Sequence, residues 1–214
     1  MTTRTQPDST TSAYPRRWLA LALLGTAQFM LILDVTVVAI ALPQMEADLA
    51  LSREALTWVV AAYTVTFGGL MLLGGRSADL FGAKRIVYSG LLTFVAGSLA
   101  AGFADSGTVL LAGRIAQGIG AAMLSPAALS VVVRLFEGDE RNRALGIWSA
   151  LGGGGAAVGV LLGGLITAGP GWPWVFFINV PVGAIVLIGL LRVLPPLPPQ
   201  PGARARLDVL GAVL

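Results

Sequence analysis

Six apolar stretches, at residues 18–42, 56–75, 86–104, 109–133, 144–168 and 174–191, run through this chain with only short polar breaks between them. A helix rises 1.5 Å per residue, so about 20 residues cross a hydrocarbon layer about 30 Å thick. Each stretch reaches or approaches that length. In lipid a helix satisfies its own backbone hydrogen bonds, so an all-α integral membrane fold with six spanning helices follows. Composition agrees. Apolar residues make up 56% of the chain and charged ones 12%, with a mean hydropathy of +0.81, whereas water-soluble proteins carry about 25% charged residues.

Basic residues set the orientation. Arg4, Arg16 and Arg17 precede the first stretch, and Arg76, Lys84 and Arg85 fall in the second loop. Arg134, Arg141 and Arg143 fall in the fourth loop, and Arg192, Arg204 and Arg206 follow the sixth stretch. Arg53 alone lies in an opposite-side loop, and Arg114 lies inside the fourth stretch. This bias places the N-terminus and the even-numbered loops in the cytoplasm of a multi-pass plasma-membrane protein. Basic residues dispersed in this way form no single face for nucleic acid.

Arg16-Arg17 ahead of an apolar run, and Ala39-Ile40-Ala41 behind it, have the look of a cleaved secretion signal. The run is too long for a signal core, contains Asp34, and is followed by five more stretches. Cysteine and histidine are both absent, which removes disulfides, thiolate chemistry and the usual zinc or haem ligands. No metal and no cofactor is expected. Residues 1–17, rich in Thr, Ser and Pro as far as Tyr14, read as a disordered tail, and residues 18–194 as the transmembrane bundle. Residues 195–206 open with Pro195-Pro196-Leu197-Pro198-Pro199-Gln200-Pro201 and read as an extended linker. Residues 207–214 look like the start of a seventh helix that stops short of crossing, which reads as truncation.

Two ionisable residues lie within the apolar stretches. Asp34 sits about 12 Å from the outer end of the first, and Arg114 about 8 Å into the fourth from the same side. Each charge costs about 2.5–3.5 kcal/mol near a helix centre. Their similar depths allow them to face one another or one watery cavity. One reading is a carboxylate that carries protons beside a guanidinium that tunes its proton affinity. The other is a static ion pair locking two helices. The first is favoured, because intramembrane ionisable groups usually mark pathways.

Gln117, Ala121 and Ser125 follow Arg114 at steps of three, four and four and continue one helical stripe. Gln117 is the better lining candidate, whereas Ala121 and Ser125 suit simple helix contact equally well. In the fifth stretch Gly155, Gly159 and Gly163 recur at four-residue steps, with Gly164 beside them, and let another helix approach closely. No strand precedes these glycines and no Lys-Ser/Thr follows, so they do not cradle phosphate. Gly118-Ile119-Gly120 fails for the same reason. Phe29, Met30, Trp58 and Tyr63 are able to line a hydrophobic site, although such residues in spans more often face lipid or neighbours.

The second loop, residues 74–85, is glycine-bounded and basic apart from Asp79. It resembles the G-x-L-A-D-R-x-G-R-K loop of the major facilitator superfamily through Gly75, Ala78, Asp79, Gly82 and Lys84, with Leu80 and Ala83 in place of arginines. Three further segments resemble the fourteen-helix drug:proton antiporters of that superfamily. They are Leu33-Asp34-Val35-Thr36-Val37 onward to Pro43, Leu111-Ala112-Gly113-Arg114-Ile115-Ala116-Gln117-Gly118 onward to Ala122, and Trp174-Val175-Phe176-Phe177-Ile178-Asn179-Val180-Pro181 onward to Gly183. The fifth-helix pattern G-P-x-x-G-G appears as Gly159-Val160-Leu161-Leu162-Gly163-Gly164, with valine for proline, and Pro173 stands where arginine is usual.

The resemblance implies the six-helix N-terminal bundle of a major facilitator fold, made of two three-helix inverted repeats. It implies proton-coupled efflux of drugs or other small hydrophobic or cationic molecules. Asp34 would handle protons or cationic substrate and Arg114 would couple protons. Asp79 with Lys84 or Arg85, framed by Gly75 and Gly82, would form a conformational latch on the cytoplasmic side. The implied partners are protons, a small-molecule substrate, the lipid bilayer and a missing C-terminal half. Six helices supply one wall of such a cavity, so the chain alone is expected to be inactive in transport. The alternative is a non-transporting truncated membrane protein or helper subunit with the same helices. An enzyme is disfavoured by the lack of His, Cys, paired intramembrane carboxylates and metal-spaced ligands.

Overall fold

The computed structural model describes residues 14–195. The expected tail as far as residue 13, the linker beyond Pro195 and the start of a seventh helix lie outside the described residues. Seven helices follow one another: α1 (Arg17–Leu49), α2 (Arg53–Phe81), α3 (Ala83–Gly102), α4 (Gly107–Leu135), α5 (Gly138–Ala168), α6 (Trp174–Phe177) and α7 (Asn179–Val193). α6 and α7 together make the sixth span, and six spans are long and apolar enough to cross a membrane. Among the described residues there is no strand.

The helices outrun the apolar stretches. α1 continues past Pro43 to Leu49, and α5 begins at Gly138, ahead of the apolar stretch at 144. Once a helix is nucleated, each added residue gains a hydrogen bond at little cost. Polar turns such as Glu46–Leu49 therefore extend the helices past the apolar part. Ala50 closes α1 in the left-handed conformation (φ 47°), and Ser52 opens α2 by accepting a hydrogen bond from the Ala55 amide at 3.2 Å.

The folded part also takes in residues 14–17, which the sequence assigns to the tail. Their side chains find partners: Tyr14 donates its hydroxyl to the Val193 carbonyl, Arg16 reaches the Arg192 carbonyl at 3.3 Å, and Arg17 pairs with Glu140 at 2.9 Å. Both described ends of the chain consequently lie at the same end of the bundle.

Between α2 and α3 only Gly82 leaves the helical conformation, at φ 93°. Most of the expected second loop is therefore helix, and the reversal rests on one residue that tolerates positive φ. Gly82→Ala is expected to cost about 1–2 kcal/mol, read as a lower thermal unfolding midpoint of the detergent-solubilised chain by circular dichroism.

α4 packs on α2 and α3, while α1 packs on α5 and α7. Each repeat's first helix thus lies against the second and third helices of the other repeat, the exchange that two related three-helix units produce. Small residues set the distances. A Cβ on Gly97 of α3 would lie 2.7 Å from the Gln117 nitrogen of α4, and one on Gly120 of α4 would lie 2.4 Å from the Phe94 nitrogen of α3. Gly74 of α2 is tighter still, its Cβ position 2.0 Å from the Ala122 carbonyl oxygen. Against α1, Gly155 meets Ile32, Gly159 meets Thr36, and Gly163 meets Ile40. Gly164 is not part of this contact. It lies about 100° further round the helix, and a Cβ there would meet nothing within 4 Å.

Candidate functional site

Two apolar clusters fill the bundle. One, containing Leu24, Leu31, Phe94, Leu124 and Leu190, lies toward the end that carries Tyr14 and Pro195. The other, containing Val37, Met45, Leu110 and Phe176, lies toward the far end. Along the helices a polar layer falls between them: Asp34, Ser98, Arg114, Gln117 and Asn179, none more than 1% exposed. Four spans contribute to it. Burying so many polar groups is costly unless each is hydrogen-bonded, and here all five residues bond to one another, although Arg114 Nη2 has no hydrogen-bond partner.

Arg114 donates through Nη1 to Asp34 Oδ2 and, at 2.9 Å, to Gln117 Oε1. Its Nε donates to the Val59 carbonyl of α2 at 3.0 Å, and the Tyr63 ring lies 4.4 Å from the guanidinium carbon. Gln117 Nε2 donates to Asp34 Oδ1 and to Ser98 Oγ, each at 2.8 Å. Asn179 Nδ2 donates to Asp34 Oδ1 at 2.9 Å and to Ser98 Oγ at 3.2 Å. Charge-assisted bonds of this kind are about twice as strong as neutral ones, which offsets much of the desolvation of both ions. Every partner of the carboxylate is an N–H donor. A proton arriving on Asp34 therefore finds no acceptor until a neighbour turns.

Asp34 and Arg114 thus face one another, one of the two arrangements their depths allow, and Gln117 of the α4 stripe joins them. Ser98 and Asn179 were not among the expected residues. Asn179 is the one amide in residues 174–191, a signal that an intramembrane polar group provides. Ser98 carries no such signal, since serine in a span is ordinarily a packing residue. Ala121 and Ser125 are buried in helix contact. The four aromatic and methionine candidates are not gathered into one site. Trp58 is 50% exposed, Met30 is buried, Phe29 lies against Gly155, and Tyr63 stacks on Arg114. An open apolar groove of about 500 Å³ runs instead between Leu42 of α1 and Leu56, Val60 and Thr64 of α2.

The latch candidates cluster at the end that carries Tyr14 and Pro195. Gly75 lies beside Pro126, Gly82 makes the turn, Asp79 is half-buried and Arg85 is exposed. The expected pairing is not made, since among the described residues no ion pair joins Asp79 to Lys84 or Arg85. α3 packs on α7, so Lys84 Nζ instead reaches the Leu194 carbonyl at 2.6 Å. A cation at a helix C-terminus is favoured by the helix dipole.

Comparison with known proteins gives a consistent result. The sequence model of a family described as Major Facilitator Superfamily matches residues 24–211. The puromycin resistance protein pur8 of Streptomyces alboniger is 48% identical over 202 residues, covering 94% of this chain and 40% of that protein. The cephamycin export protein CmcT of Amycolatopsis lactamdurans is 44% identical over 196 residues, covering 91% of this chain and 40% of that protein. The chain thus spans about two fifths of the length of these relatives. In fold, the chain is similar to a crystal structure of the peptide transporter POT, with a TM-score of 0.72 and 20% identity, over 81% of this chain and 37% of that one.

Proposed function

Because the chain belongs to the major facilitator superfamily, we propose that it forms one wall of a secondary transporter exporting drugs or other small hydrophobic or cationic molecules in exchange for protons. The observation that carries this reading is the fully buried Asp34–Arg114 pair with its amide neighbours. Its two ions come from α1 and α4, the first helices of the two repeats, which is where a midline cavity is lined. An ionisable pair at that depth is expensive unless it does something. The names of the relatives, resistance and export, support the outward direction and the drug-like substrate class.

The surface of the bundle supports a second half. Only 17% of the apolar window of α2, and the same share of α5, is buried, against 56% in α4. Leu72, Val65, Leu161 and Leu165, each at least 64% exposed, stand out on these two helices. A second bundle docked there would close the cavity. Gly75, Asp79, Gly82, Lys84 and Arg85 then form a cytoplasmic latch facing that half, with Lys84 anchored on α7. In this reading the N-terminus is cytoplasmic and the protein resides in the plasma membrane.

The test is puromycin accumulation in an efflux-deficient host that expresses the full-length protein, with and without a protonophore. Accumulation is expected to be low, and to rise to that of the empty host once the proton gradient collapses. Efflux that persists without the gradient would remove proton coupling.

A further inference from the structure

The amide side chains on the spans are those of Gln28, Gln44, Gln117 and Asn179. Gln44 Nε2 donates to the Thr167 carbonyl at 2.9 Å, and Gln117 and Asn179 belong to the polar layer. Gln28 of α1 differs from these. Its Oε1 is buried and accepts no hydrogen bond among the described residues. Withdrawing an amide oxygen from water without giving it a partner is destabilising. The packing of the bundle therefore supplies no reason for glutamine at this position.

Its place on α1 decides what meets it. Ile32, Thr36 and Ile40 lie against the glycines of α5, and Asp34 turns toward α4. Residues follow one another at about 100° around a helix, so Gln28 lies about 120° round from Asp34 and about 9 Å nearer the end that carries Tyr14. Val35 and Leu42 succeed it at seven-residue steps, each drifting by only about 20°. All three are half-buried, and Leu42 forms the α1 side of the groove against α2. Gln28 thus stands on the line of α1 between α2 and α5, the two helices whose apolar windows are least buried.

We propose that Gln28 contacts the transported molecule and selects for an N–H or O–H donor on an otherwise apolar body. The proposal rests on the reading of the bundle as one wall of an exporter, in which this line of α1 faces the cavity. A ligand there meets aliphatic side chains and one amide. Aliphatic walls do not distinguish polar groups, whereas a few placed polar atoms do. An unpartnered carbonyl oxygen in surroundings poor in water forms a stronger bond to a donor than it would in bulk solvent. The terminal amide torsion is broad, so a small turn brings Oε1 to a group on the open side. The amide is uncharged, so it discriminates by donor and not by cationic charge.

Two lipophilic cations separate donor from charge. Ethidium carries amino groups on its rings, and tetraphenylphosphonium has no N–H or O–H. Binding of each is measured on the full-length protein in detergent, without a proton gradient, and compared with Gln28→Met, which is similar in length and unbranched. Ethidium is expected to bind this variant about tenfold more weakly, the worth of one buried hydrogen bond, with tetraphenylphosphonium unchanged. Gln28→Glu keeps an acceptor oxygen and is expected to hold ethidium at least as tightly as the parent. The thermal midpoint of Gln28→Met is expected at or above the parent's, because an unpartnered amide is removed; a fall would make Gln28 a structural residue and overturn the proposal. Equal losses for the two cations, or none for either, also overturn it and leave the exporter reading standing. A parent that binds neither cation takes the cationic class out of that reading and this proposal with it.

Discussion

Asp34→Asn in the full-length protein is expected to abolish the proton-driven efflux proposed above, lowering it to the level of the empty host, while the helices still insert. The substitution removes the only carboxylate in the polar layer and so the only group there able to take and release a proton. Insertion should not suffer, because a charge near a span centre costs about 2.5–3.5 kcal/mol and its removal eases entry into lipid. The folded bundle pays a different cost. Arg114 keeps an acceptor in the new amide oxygen but loses its counter-ion, and breaking a buried pair destabilises by about 3–5 kcal/mol. The variant should therefore reach the membrane at normal levels and melt earlier in detergent. Unchanged efflux by a correctly inserted Asp34→Asn protein would take Asp34 out of the mechanism.

The second large effect concerns packing. Gly120→Leu is expected to destabilise the bundle by about 3 kcal/mol or more, the upper end for overpacked sites. The first added carbon already meets the Phe94 nitrogen at 2.4 Å and the Gly90 carbonyl oxygen at 2.7 Å. Both are backbone atoms, so no rotamer relieves the clash and α3 must move away from α4. That movement also carries Ser98 away from Gln117. Gly164→Leu is the control, because its Cβ faces open space, and it should stay within about 0.5 kcal/mol of the parent. Thermal unfolding of both variants in one detergent compares them directly. Equal midpoints would mean that α3 and α4 are not held at backbone contact.

Much of the architecture is legible in the residues, for identifiable reasons. Six apolar stretches broken by basic loops leave few folds open, and lipid forbids most of those. Asp34, Arg114 and Gln117 stand out because a charge or amide in hydrocarbon demands a partner, and counting residues gives its depth. What stays hidden depends on contacts between distant segments. Ser98 is a small hydroxyl in a small-residue helix, and nothing local marks it as the oxygen shared by Gln117 and Asn179. Asn179 lies inside a quoted motif, yet its reach to Asp34 follows only from the packing of the sixth span on α1. The loop residues mislead in the opposite sense. Read as a flexible turn, Asp79 and Lys84 look free to pair, but a single glycine makes the reversal and the rest is helix, which aims Lys84 at α7. Gly164 shows that a run of one residue type is weaker evidence than its angular position.

The side chains that cap the last carbonyls of α7 also dictate an order of assembly. Tyr14 leaves the ribosome early, whereas its acceptor on Val193 follows 179 residues later. Arg16 waits nearly as long for Arg192. Until those positions clear the exit tunnel, the nascent bundle keeps an unsealed seam between its first span and the place of its sixth. Closing that seam joins segments synthesised far apart, so a polypeptide stalled before residue 193 is expected to be cleaved more readily by proteases during membrane insertion.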